Sequence, residues 1–129
     1  MATIELTSEN FESTIKDSDT LFIDFWAAWC GPCRMFGPVF EAASQQHEDV
    51  TFAKLDTEAH QQIAAALEIA SIPTLMAFRG GVLVYRNAGA MNAPGLDQLI
   101  SAVKELDADE VRAQAQAAME NHQSEELNN

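Results

Sequence analysis

The stretch Trp29-Cys30-Gly31-Pro32-Cys33 contains the only two cysteines of this 129-residue chain. Two residues separate these cysteines, so their thiols can close into a disulfide over a short Gly-Pro turn. A disulfide that closes so short a loop constrains little of the unfolded chain, and it therefore adds little stability. The spacing instead favours a pair of thiols that exchanges electrons reversibly.

The flanking segments predict that the cysteines lie at a strand-to-helix junction. Residues 21–27 form an apolar run typical of a strand buried on both faces. After the pair, apolar residues recur with a helical period at positions 36, 39, 40 and 43. Cys30 then lies at the helix N-terminus, where free N–H groups and the helix dipole favour a thiolate, and Pro32 is tolerated in the first turn. The thiolate is the attacking species, so Cys30 is the predicted nucleophile. Cys33, one turn further and more shielded, is predicted to resolve the mixed disulfide.

A metal site is the main alternative for such a cysteine pair. A structural zinc site needs four ligands, usually in two close pairs. The chain has one cysteine pair, and His47, His60 and His122 lack ligand-like spacing. The sequence therefore predicts no metal site. An inert buried pair is also disfavoured, because cysteines at helix starts are activated.

The rest of the chain divides into alternating strands and helices. The predicted strands are 3–6, 21–27, 50–56, 74–78 and 82–86, and the predicted helices are about 8–16, 31–47, 60–67 and 94–106. Pro38 removes one backbone hydrogen bond from the second helix and should kink its axis. The order β-α-β-α-β-α-β-β-α indicates an α/β fold, with a central mixed sheet flanked by helices on both faces.

The last 23 residues are predicted to form an addition to this fold. Asp107 with Glu110 resembles a capping box, and a helix is expected from Ala108 to about His122. The thin apolar stripe of this helix consists of Val111, Ala115, Ala118 and Met119. Residues 123–129 have the composition of a disordered end. The expected organisation is a domain over residues 1–106 and an acidic helical extension over residues 107–129.

Charge and hydropathy exclude some classes of partner. The net charge is −13, of which −8 falls on residues 1–106 and −5 on residues 107–129. Such a surface repels nucleic acid and anionic membranes. No apolar run approaches the ~18 residues of a membrane span. The first residues lack the basic start and apolar core of a signal peptide. Together these features predict a cytoplasmic protein that binds neither nucleic acid nor membrane.

Four motifs resemble those of the thioredoxin family, and the likeness covers roughly residues 3–106. They are DFWAAWCGPCRM at 24–35, FAKLD at 52–56, SIPT at 71–74 and AGA at 88–90. Gly-Pro between the cysteines is typical of this family, whereas related oxidants and isomerases usually carry a histidine there. The resemblance implies the thioredoxin fold and a monomer that reduces disulfides in client proteins. It also implies that no cofactor is bound and that an NADPH-dependent flavoprotein thioredoxin reductase supplies the electrons.

The resemblance assigns roles to two charged residues. Asp24 lies within the predicted buried strand, where a carboxylate is costly unless it is paired or protonated. The corresponding family acid exchanges a proton with the second cysteine, here Cys33. The alternative is an aspartate at the strand end that bonds to backbone. Lys54 aligns with the family lysine that favours the ionised acid, and a lysine that reaches to solvent is an equal alternative.

The resemblance also implies a shallow apolar docking surface for clients. Pro73 matches a proline that is cis in this family, and a cis bond would expose the Ile72 backbone for pairing with a substrate segment. A turn proline before a strand is the alternative. The implied docking residues are Trp29, Gly31, Pro32, Ile72, Pro73, Ala88, Gly89 and Ala90. Trp26 is assigned to packing beneath them. Ala28 and Pro94 depart from the family pattern, which leaves partner choice open.

Two other functions fit parts of the sequence. One is an oxidant or isomerase of an oxidising compartment, against which the Gly-Pro pair and the missing signal peptide argue. The other is a docking or holdase subunit that acts independently of redox chemistry through residues 107–129. Retention of function without both cysteines would favour the second alternative.

Overall fold

A computed structural model describes the backbone of residues 3–127 and the side chains of residues 3–122. The strands are β1 (Thr3–Glu5), β2 (Thr20–Trp26), β3 (Thr51–Asp56), β4 (Thr74–Arg79) and β5 (Val82–Ala88). The helices are α1 (Phe11–Asp17), α2 (Gly31–Gln46), α3 (Gln61–Ala66), α4 (Ala93–Glu105) and α5 (Ala108–Leu127). The predicted order of strands and helices is confirmed, with α5 following it.

The five strands form one mixed sheet in the order β1-β3-β2-β4-β5. β3 pairs in parallel with both β1 and β2, whereas β4 pairs antiparallel with β2 and β5. Every residue of β2 and β4 is buried except the last of each strand. The apolar run at 21–27 is therefore the central strand that its sequence predicted.

Helices cover both faces of the sheet because alternate residues of each strand point to opposite faces. On one face, α2 and α4 pack on a cluster that contains Phe22, Phe36, Phe40, Phe52, Leu75 and Ile100. On the other face, Leu21, Ile23, Phe25, Leu55 and Met76 pack with apolar side chains of α1 and α3. The even-numbered residues of β2, including Asp24, thus face α2.

The first helix begins later than its sequence predicted. Asn10 Oδ1 accepts the Thr7 N–H at 2.7 Å, and Thr7 Oγ1 accepts the Glu9 N–H at 3.2 Å. These side-chain bonds hold residues 7–10 in a turn that competes with helix formation. The helix therefore starts at Phe11, and its predicted start at about residue 8 is wrong.

α5 starts where the sequence predicted and extends further. Asp107 Oδ1 accepts the Glu110 N–H at 3.0 Å, as expected of a capping residue. The helical backbone continues to Leu127, past the expected end of the helix at about His122. Extending a formed helix costs far less free energy than nucleating a new one. The composition of a polar segment does not show whether a helix precedes it. Residues 128 and 129 lie outside the described part of the chain.

The start of α5 contacts the turn between β4 and β5. Arg79 Nε donates to the Leu106 carbonyl at 2.8 Å, and Arg112 Nη1 donates to the Gly80 carbonyl at 3.4 Å. Side chains 116–122 are all exposed. α5 is thus attached to the domain through its first turns. No helix among residues 3–127 is long and apolar enough to cross a membrane.

Candidate active site

Cys30 and Cys33 form a disulfide at the start of α2, with their Cα atoms 5.2 Å apart. Cys30 is the residue that caps the helix, and its Sγ accepts the Cys33 N–H at 3.2 Å. In the reduced state, this N–H and the dipole of the 16-residue helix would stabilise a thiolate on Cys30. The predicted nucleophile therefore occupies the position that favours its reactive form.

Burial does not distinguish the two cysteines in the oxidised state. The exposed fraction is 4% for each residue. The expectation that Cys33 is the more shielded of the two is therefore not met by this measure. Their backbone environments still differ, because Cys30 lies at the helix cap and Cys33 lies inside the first turn.

Asp24 is fully buried on the face of the sheet that α2 covers. No described protein group hydrogen-bonds either of its carboxylate oxygens. Asp24 therefore bonds to no backbone group of the described residues, which the alternative interpretation required. Desolvation raises the pKa of Asp24 from 3.8 to about 7, and the positive charge of Lys54 partly opposes this rise. The carboxyl group can consequently gain and lose a proton near neutral pH.

Lys54 lies beside Asp24 in the sheet. The two residues are Cα partners in the parallel pairing of β2 with β3, so their side chains share one face. The Lys54 ammonium lies 5.1 Å from the centre of the Trp26 ring, a cation–π contact. It also lines a cleft of about 370 Å³ between α2 and the sheet, together with Cys33, Arg34 and Glu41. The lysine therefore reaches this cleft while its charge acts on Asp24.

The Ile72–Pro73 segment lies next to the disulfide. The bond between these two residues is cis, as the resemblance implied. Cys30 Sγ lies 3.6 Å from the Ile72 carbonyl oxygen, within reach of a hydrogen bond when the cysteine is a thiol. Gly89 has a φ of 111° and donates its N–H to the Pro73 carbonyl at 2.8 Å. The structure thus brings residues 72–73 and the Ala88–Ala90 segment together beside Cys30.

Of the remaining implied docking residues, Trp29 and Pro32 are exposed and Gly31 is half-buried. Trp29 is 66% exposed, and its indole Nε1 donates to Glu58 Oε1 at 2.8 Å. Trp26 is half-buried against the cysteines, consistent with packing beneath the site. Met35, which sequence analysis did not single out, is 75% exposed two residues after Cys33. Glu58 was also missed, because its contact with Trp29 joins segments 29 residues apart.

The thioredoxin family model matches residues 2–117 of this sequence. The chain belongs to the thioredoxin family. Among curated relatives, it is 49% identical over 111 residues to "Putative thioredoxin 2" of Streptomyces coelicolor, covering 86% of this chain and 83% of the relative. It is also 42% identical over 96 residues to "Bifunctional thioredoxin reductase/thioredoxin" of Mycobacterium leprae, covering 73% of this chain but 21% of that protein.

Solved structures agree with the thioredoxin fold. A mutant thioredoxin from Halobacterium salinarum superposes with a TM-score of 0.75 at 32% identity, covering 81% of this chain and 93% of that one. Family membership and the bonded Cys30–Cys33 pair together identify a thiol-disulfide oxidoreductase. The reaction is dithiol-disulfide exchange at this pair.

Proposed function

We propose that this thioredoxin-family protein reduces disulfides in client proteins, with Cys30 as the attacking thiolate. The observation that carries the proposal is the position of Cys30 Sγ, which caps α2, accepts the Cys33 N–H and lies beside the Ile72 carbonyl. A client disulfide that reaches this sulfur also meets the half-buried Ile72, whereas Pro73 beside it is buried. The site therefore offers a nucleophile and a docking surface in one place.

The proposed cycle transfers two electrons to the client. The Cys30 thiolate attacks one sulfur of the client disulfide, and the other client sulfur leaves as a thiolate. Cys33 then attacks Cys30 Sγ in the mixed disulfide and displaces the second client thiolate. The products are the reduced client and the Cys30–Cys33 disulfide seen in the structure.

We assign the proton transfer to Asp24. Cys33 must lose its thiol proton before it attacks, and an ionised Asp24 can accept it as a general base. The pKa of about 7 allows the carboxyl group to hold and release this proton near neutral pH. Lys54 supports this role, because its positive charge favours the ionised carboxylate.

We propose that a thioredoxin reductase supplies the electrons. The Mycobacterium leprae relative carries the words thioredoxin reductase in its name, which supports a reductase of that class as the donor. We propose that this enzyme is an NADPH-dependent flavoprotein and that the present chain binds no cofactor itself.

A protein that must be kept reduced fits the cytoplasm, where thiols are maintained in that state. We further propose that it acts as a monomer.

The proposed activity is tested by insulin reduction. The wild-type protein should accelerate insulin reduction with NADPH and a thioredoxin reductase, and also with dithiothreitol as the electron donor. The matched control is the double variant Cys30→Ser/Cys33→Ser. Equal insulin reduction by the wild type and the double variant would contradict the proposed function.

Replacing Lys54 should change the pH dependence of reduction. Lys54→Met removes the positive charge that opposes the raised pKa of Asp24, so this pKa should rise further. The midpoint of the rate–pH profile should therefore move to higher pH. Stopped-flow measurement of insulin reduction from pH 6 to 9 gives this midpoint. Lys104→Met is the control, because Lys104 pairs with Asp49 on the surface at 2.7 Å. A midpoint that stays in place for Lys54→Met would assign Lys54 to packing alone.

Removing residues 108–129 should leave reduction rates within about twofold of wild type. α5 contacts the β4–β5 turn at Gly80, whereas the site lies at the other end of β4. Five residue steps along the strand separate the two ends by roughly 17 Å. Insulin reduction by the truncated protein, with circular dichroism as the fold control, makes the comparison. A large loss of activity at unchanged fold would favour the docking-subunit alternative and place the extension in the functional site.

A further inference from the structure

We propose that Arg86 is a positioning residue for client reduction, which holds the loop of residues 68–73 in place from β5. This inference rests on the proposed function and adds a residue to it. Arg86 does not touch the cysteines. It acts on the backbone segment that leads from α3 to Ile72 and Pro73.

The end of α3 requires an unusual backbone conformation. The Glu68 N–H bonds to the Ala65 carbonyl at 3.0 Å, and the Ile69 N–H bonds to the Ala64 carbonyl at 2.9 Å. This is the Schellman pattern, in which the residue after the helix cap adopts a left-handed conformation. Glu68 has a φ of 55°, a conformation that normally favours glycine. A glutamate at this position needs other interactions to hold the turn.

Arg86 supplies those interactions. Its Nη1 donates to the Leu67 carbonyl at 2.6 Å, and its Nη2 donates to the Glu68 carbonyl at 2.7 Å. The planar guanidinium group therefore donates hydrogen bonds to two consecutive carbonyls at the negative end of the helix, where a cation is favoured. Two charge-assisted hydrogen bonds fix both the position and the orientation of the turn.

The same strand holds the other end of the loop. Gly89, just after β5, donates its N–H to the Pro73 carbonyl at 2.8 Å. Between the two ends, Ala70 and Ser71 are exposed and line an open cleft of about 290 Å³ together with Arg86. From the opposite side, Leu67 and Ile69 pack on the core, and Thr74 Oγ1 donates to the Ser71 carbonyl at 2.5 Å. On the side of the cleft, the Arg86 hydrogen bonds hold the start of the loop. Arg86 in β5 and Gly89 just after it thus bond to both ends of the segment that carries Ile72.

Loss of the Arg86 contacts should therefore affect clients that dock on the loop. Ile72 presents its carbonyl 3.6 Å from Cys30 Sγ, and a protein client would use this backbone for pairing. A small disulfide needs only the cysteine pair. Movement of residues 68–73 should raise the KM for a protein client while the reaction with a small disulfide stays unchanged.

The test compares Arg86→Gln with Arg79→Gln. Arg79 also donates to backbone carbonyls, those of Asp19 and Leu106, but at the opposite end of β4. Each variant is assayed for kcat and KM with insulin and for the rate with 5,5′-dithiobis(2-nitrobenzoate). For Arg86→Gln we expect a rise of about three- to tenfold in the insulin KM, since two hydrogen bonds to a charged group are lost. The aromatic disulfide rate should be unchanged, and Arg79→Gln should match wild type with both substrates.

A second substitution separates positioning from direct contact with the client. Glu68→Gly removes the cost of the left-handed turn that Arg86 offsets. The double variant Arg86→Gln/Glu68→Gly should therefore recover part of the insulin KM. Without this recovery, a raised KM would mean that Arg86 contacts the client itself, and the positioning role would be wrong. An unchanged insulin KM in Arg86→Gln, or an equal loss with both substrates, would also overturn it. Failure of the wild type to reduce insulin would instead reject the proposed function.

Discussion

Cys30→Ser should abolish disulfide reduction, whereas Cys33→Ser should accumulate mixed disulfides with client proteins. The helix cap gives Cys30 the N–H and the dipole that favour its thiolate, so this residue is the proposed nucleophile. Without Cys33, attack still occurs but no thiol remains to release the client. Turnover in both variants should fall by at least about three orders of magnitude, as expected when a covalent nucleophile or its partner is lost.

Mass spectrometry after incubation with oxidised insulin distinguishes the two variants. Cys33→Ser should carry one insulin molecule per protein through a mixed disulfide, released by dithiothreitol, and Cys30→Ser should carry none. The double variant Cys30→Ser/Cys33→Ser controls for non-covalent binding. A client trapped on Cys30→Ser and absent from Cys33→Ser would reverse the assignment of the two roles.

Asp24→Asn should slow reduction near neutral pH and stabilise the folded protein. The pKa of Asp24 is about 7 in the folded state and 3.8 by ordinary values. Between these values the folded protein holds a proton that the unfolded chain has released. The free energy of unfolding therefore falls as pH rises through this window and levels off above it. A shift of this size corresponds to a penalty on the order of 4 kcal/mol at high pH.

Asparagine does not titrate, so its advantage over aspartate depends on pH. The stabilisation by Asp24→Asn should be about 2 kcal/mol larger at pH 8.5 than at pH 5.5. Urea unfolding at both pH values measures it, with Asp19→Asn as the exposed control. The rate of insulin reduction should fall about tenfold and lose its rise through pH 7. A rate–pH profile identical to that of wild type would leave Asp24 without a role in proton transfer.

Local sequence patterns were sufficient to predict the centre of the site. The cysteine spacing, the apolar run at 21–27 and the helical period after Cys33 each involve few neighbouring residues, and all three lie where they were predicted. Asp24 could be recognised because a charged residue within an apolar strand is unusual. The family likeness added residues 72–73 and 88–90, which no local pattern would have joined.

Other features depended on contacts that the sequence does not display. The pairing of β4 with β5 brings Arg86 to the end of α3, and the carbonyls it binds belong to backbone rather than to any particular side chain. The contact between Glu58 and Trp29 also joins residues that are distant in the sequence. α1 starts later than predicted because two polar side chains hold the preceding residues in a turn. The length of α5 was underestimated because a polar run can extend a helix that is already formed.

The separation of the site residues along the chain affects how the protein matures. The disulfide joins residues three apart, so it can close in a chain that has not folded. The proposed docking surface instead needs residues 30, 72 and 89 to meet, which requires β2, β4 and β5 to be assembled. Oxidation of the cysteine pair is therefore a poor reporter of maturation in a newly made chain. Reduction of a protein client instead reports that β5, the last strand, has paired with β4.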